Sequence, residues 1–84
     1  MNYEEEAGRV RDRQSLTDFL SAASRDFVEN PEGWENRDIA TFLESMAAWI
    51  SDCDGFFRRK GELPPSDEVW VALAKVIAAA RIYE

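Results

Sequence analysis

Histidine is absent from this 84-residue chain. With it go the commonest general base and metal ligand, and so the Ser-His, Cys-His and zinc-type constellations. Cysteine occurs once, as Cys53, so no internal disulfide forms and a reducing, cytoplasmic setting is expected. The four glycines, Gly8, Gly33, Gly55 and Gly61, are isolated. None is followed by the Lys-Ser or Lys-Thr of a phosphate-binding loop. Long apolar runs are missing too: Val69 to Ala80 is interrupted by Lys75 and falls short of the roughly 20 residues that span a bilayer. Positive charge is scarce, with ten basic against seventeen acidic residues and a net charge of -7. Such a surface repels phosphate backbones and anionic lipids, so neither nucleic acid nor membrane is an expected partner. Glu4, Glu5 and Glu6 stand where a signal peptide would carry positive charge.

What the chain does contain is helical periodicity. Ile39, Phe42, Leu43, Met46, Trp49, Ile50, Cys53, Phe56 and Phe57 keep one register, which places them on a single face of a helix and is expected to be its buried, core-facing stripe. The expected fold is all-α: a small three-helix domain with a long central helix. A leader over residues 1–13 carries only Tyr3 and Val10 as sizeable apolar side chains. It is expected to be flexible, because it has little to bury against the cost of ordering. Residues 14–84 are expected to form the single helical domain.

The first helix is predicted from about Leu16 to Val28, with Ser15 as its cap. It stops at Asn30-Pro31-Glu32-Gly33, where proline and glycine turn the chain. Asn36 is the expected cap of the central helix, placed at about 37–60. Gly55 is its weak point. An interior glycine costs about 1 kcal/mol, less than burying two phenylalanines returns, so continuity through Gly55 is favoured. Arg58, Arg59 and Lys60 suit the negative end of that helix, and Gly61 suits the left-handed residue that ends it. After Pro64-Pro65, Ser66 caps a third helix on which Trp70, Leu73 and Ile77 cover one face and Val69, Val76 and Ala80 another.

Asp52-Cys53-Asp54-Gly55 resembles part of a calcium loop. Aligning Gly55 with the invariant glycine, however, puts Ile50 at the first ligand position and Gly61 where a bidentate glutamate belongs. No metal, cofactor or catalytic residue is therefore expected. The candidate partner-binding residues are Trp34 with the local carboxylates Glu32, Glu35 and Asp38, and Trp70 on the third helix. An aromatic ringed by carboxylates suits a basic protein surface. Against this, carboxylates are usually solvated, and a lone tryptophan often serves as a lid over a small core.

Trp34-Glu35-Asn36, Phe42-Leu43, Ala48-Trp49 and Asp52-Cys53-Asp54-Gly55 occur in this order. Together they resemble a bacterial family of small acidic proteins catalogued as a domain of unknown function, over about Ser15 to Glu84. The resemblance implies a compact bacterial domain, leaves its function open and supplies no catalytic residues; members of such families are often suspected to be immunity or other interaction proteins. The expected function is a non-enzymatic protein-interaction module of the immunity type, an inhibitor of a basic partner. A homodimer or other structural homo-oligomer through the third helix is the alternative, and small-ligand binding between helices a weaker one.

Overall fold

The computed structural model describes residues 1–84. Five α-helices succeed one another: α1 over Tyr3–Gly8, α2 over Arg13–Glu29, α3 over Ile39–Asp52, α4 over Asp54–Arg59 and α5 over Asp67–Ala80. A 3-10 turn occupies Pro31–Gly33, and there are no strands. The all-helical class agrees with the sequence. The helix count does not, since five helices stand where three were expected.

The first correction concerns the leader. Residues 3–8 are helical because Asn2 accepts from the Glu5 amide at 3.1 Å and three glutamates fill the positive first turn. Tyr3 then reaches Asp26, 23 residues on, with its hydroxyl donating to Oδ2 at 2.6 Å. Its ring also meets those of Phe19 and Trp34, and these long contacts supply what the composition of the segment did not promise.

The second correction concerns the start of α2. Asp12, not Ser15, is the cap: its Oδ1 accepts from the Ser15 amide at 2.8 Å, and Ser15 Oγ accepts from the Asp12 amide at 3.1 Å. This reciprocal box satisfies two amides where a Ser15 cap would satisfy one. Likewise Asp38, not Asn36, opens α3, because its Oδ1 accepts from the Thr41 amide at 2.8 Å.

The third correction concerns the long central helix. It is interrupted at Cys53, two residues before Gly55, and Gly55 itself lies inside α4. Cys53 has φ -74° and ψ -12°, a shallow turn, and is only 3% exposed. In an unbroken helix, residues seven and eight apart stand about 10–12 Å apart along the axis. The interruption lets Phe56 and Phe57 both reach the Trp49 ring, at centroid distances of 5.3 and 6.0 Å.

Two expectations agree with the structure. Arg58 and Arg59 close α4, and Gly61 follows at φ +72°. Its amide bonds to the Arg58 carbonyl at 3.1 Å, and that of Glu62 to Phe57 at 2.9 Å, the paired closure that needs a left-handed residue. Ser66 stands at the cap of α5 in extended conformation, although its hydroxyl makes no capping bond.

The helices gather into two units, Met1–Leu43 and Glu44–Glu84. The first holds α1, α2, the 3-10 turn and the opening of α3. The second holds the remainder of α3 with α4 and α5. Within the first, Tyr3, Phe19, Phe27, Trp34 and Phe42 form a chain of ring contacts. Within the second, Trp49, Phe56 and Phe57 meet edge to face.

Candidate functional site

Trp34 follows the 3-10 turn, which fixes its backbone by a bond from its amide to the Pro31 carbonyl at 3.0 Å. Its indole Nε1 donates to Asp26 Oδ2 at 3.0 Å, the oxygen that also accepts from Tyr3. Tyr3 and Phe27 each present an edge to the indole at 5.4 Å, and Phe42 lies tilted at 6.2 Å. Edge-to-face pairs of this kind add about 0.5–1.5 kcal/mol each beyond the area they bury. Trp34 is therefore the half-buried centre of an aromatic cluster.

The electrostatics of that centre are those of a structural bond. Hydrogen bonds from Tyr3 and then Trp34 hold the Asp26 carboxyl below its usual range. Burial first, and then the bond to Asp26, pushes the Tyr3 phenol up to about 12. A carboxylate satisfied by two donors is a weak base, and a phenol this reluctant to ionise is a weak acid. The pair is poorly suited to proton transfer near neutrality. No group of three or more carboxylate or thiol side chains is placed to hold a metal ion, and no helix is long and apolar enough to cross a membrane.

Beside the cluster opens a cleft of about 480 Å³. Phe27, Trp34, Ile39, Phe42 and Leu43 line it, together with the charged Arg37 and Asp38. Three of the wall residues are well exposed: Ile39 at 79%, Phe42 at 43% and Leu43 at 41%. A second, smaller hollow of about 250 Å³ lies against Tyr3, Trp34, Glu35 and Phe42. Arg37 is held in place by Nε donating to the Trp34 carbonyl at 2.9 Å.

Of the residues singled out in the sequence, Trp34, Glu35 and Asp38 come together around these hollows. Asp38 has a second duty as the cap of α3. Glu32 is exposed on the 3-10 turn. Trp70 belongs to the other unit and is half-buried on α5. Sequence reasoning missed Asp26 and Tyr3, which anchor the indole. It also assigned Ile39, Phe42 and Leu43 to a buried stripe, whereas their side chains form the open wall of the cleft. Helical period shows which face is apolar but not whether anything covers it.

The Family of unknown function (DUF7660) matches residues 12–84, and the chain belongs to that family. No curated protein and no solved structure matches the chain.

Proposed function

We propose that this member of a family of unknown function is a non-enzymatic interaction module, and that the cleft beside Trp34 receives apolar side chains of a basic protein partner. The observation that carries the reading is the cleft itself: an apolar wall beside a hydrogen-bonded aromatic cluster, with Ile39 of that wall 79% exposed. Aromatic-lined, preformed hollows rimmed by charge are where partner residues anchor, because burial supplies affinity and the rim supplies steering. The partner's sign follows from charge. The unit that holds the cleft has twice as many acidic as basic side chains. A narrower form of the reading, an immunity-type inhibitor in the cytoplasm, draws on the same acidic surface. Small-ligand binding is the less favoured reading: good ligand sites enclose most of their guest, whereas this wall is open to solvent.

The test uses the full chain, isotopically labelled, titrated with two helical peptides that share one apolar face and differ in flanking charge. The basic peptide should shift the indole resonance of Trp34 and the amides of Ile39 to Leu43, and the acidic peptide should not. Ile39→Asp removes apolar surface from the cleft wall while placing a carboxylate in the first turn of α3, where a helix tolerates it. It should abolish the shifts. Shifts that survive Ile39→Asp, or equal responses to the two peptides, would overturn the reading.

A further inference from the structure

The face of α5 that bears Trp70, Leu73 and Ile77 is half-buried. About a quarter-turn round the helix from it, Asp67, Val71, Ala74, Ala78 and Arg81 recur at spacings of four, three, four and three, which makes one stripe along the helix. All five are exposed, Val71 by 53%. Neither Asp67 nor Arg81 has an ion-pair or hydrogen-bond partner for its side chain within the chain.

Reversed, the stripe sets opposite charges against each other at its ends and a small side chain against a larger one between them. Set antiparallel to a copy of itself, it brings Asp67 opposite Arg81, Val71 opposite Ala78 and Ala74 opposite Ala74. A larger side chain then meets a smaller one, two alanines allow close approach at the centre, and an opposite-charge pair closes each end. Set parallel, it would oppose Asp67 to Asp67 and Arg81 to Arg81. Such self-complementarity is what a two-fold interface requires, since each contact occurs twice. Antiparallel packing also opposes the two helix dipoles favourably.

We propose that α5 is a self-association surface that pairs antiparallel with α5 of a second copy in this register. The occupant is identified by charge complementarity: the stripe supplies both halves of each ion pair. An interface one helix wide falls below the roughly 1,200 Å² of a standard complex, so the association is weak and depends on concentration. The exposed ion pairs contribute orientation more than affinity. This surface belongs to unit 2, whereas the cleft belongs to unit 1, and the proposal does not depend on the reading of that cleft.

Sedimentation velocity of the full chain over a concentration range tests the proposal. The wild-type chain should pass from monomer to dimer. Asp67→Arg and Arg81→Asp, each alone, create like-charge pairs at both ends and should weaken the dimer at least about tenfold. Equimolar mixing of the two single variants pairs opposite charges again at both ends and should restore association, as should the double exchange within one chain. Restoration by mixing also shows that each variant is folded. A wild-type chain that stays monomeric at every concentration overturns the proposal. So does a dimer indifferent to the single reversals, which would use another face or a parallel register.

Discussion

The two aromatic clusters of this chain are built on different principles. In unit 1 the rings of Tyr3 and Trp34 have polar ends, and both donate to one oxygen of Asp26. In unit 2 Trp49, Phe56 and Phe57 meet edge to face around a turn whose thiol, Cys53, is almost fully buried, with no side-chain hydrogen bond joining the rings. A hydrogen bond has direction, so the first cluster fixes where each ring lies. Apolar contact has little, so the second gathers rings without specifying them so narrowly. Of the aromatic and aliphatic residues that line the cleft of unit 1, Trp34 alone is fixed by such a bond, while Phe27, Ile39, Phe42 and Leu43 contribute apolar surface.

The largest test of this difference is to remove one indole from each cluster. Trp34→Ala should cost about 3 kcal/mol, because it empties the centre of three ring contacts and leaves Asp26 with a single donor. The sequence alone marks Trp49 as a core site whose loss would cost about 3–5 kcal/mol. At 48% exposure only about half of that burial exists, and Trp49→Ala should cost about 1.5 kcal/mol. Denaturant unfolding of both variants decides the matter, and equal costs would remove the distinction between the clusters.

Proton linkage separates the clusters a second way. The lowered carboxyl of Asp26 contributes stability that is present above its ordinary range and is lost as pH falls through its folded value. The Tyr3 phenol, raised from 10.0 to about 12, contributes stability that is intact below pH 10 and is lost as pH rises through about 12. Unit 1 should therefore loosen at both extremes. In an NMR pH series the Trp34 indole resonance should move at the acid and alkaline ends while that of Trp49 holds. Tyr3→Phe should remove the alkaline limb and cost about 1.5 kcal/mol. An alkaline limb that persists in that variant would assign it to another group.

The sequence showed the helical class, the proline stop after α2, the cap position of α5 and the glycine that closes α4. Each of these is a local decision, made by residues within a turn of one another. It did not show α1, whose place is set by Tyr3 finding Asp26 across 23 residues, nor the break at Cys53, where helical phase continues although the helix does not. For the candidate site, Trp34 and Asp38 were legible as residue types near a loop. Asp26 was not, since an aspartate on the polar side of a helix looks the same whether it faces water or an indole. Ile39, Phe42 and Leu43 were legible as apolar and misread as covered, because periodicity reports a face and only packing reports its partner.

The smallest effect sharpens the comparison from the side of unit 2, where geometry comes from the backbone more than from directed side-chain bonds. Gly61 holds φ +72° with nothing within 4 Å of where a Cβ would stand, so Gly61→Ala meets no steric neighbour and tests backbone conformation alone. A left-handed alanine costs about 1 kcal/mol. The variant should lose that much and show faster amide exchange at Gly61's neighbour Glu62, whose bond to the Phe57 carbonyl completes the closure of α4. Because Phe57 carries one of the rings on Trp49, loosening the closure should also broaden the Trp49 indole resonance, while the Tyr3 to Asp26 to Trp34 bonds of unit 1 keep theirs sharp. Broadening confined to Trp34 would show that the apolar cluster, not the hydrogen-bonded one, is the better fixed of the two.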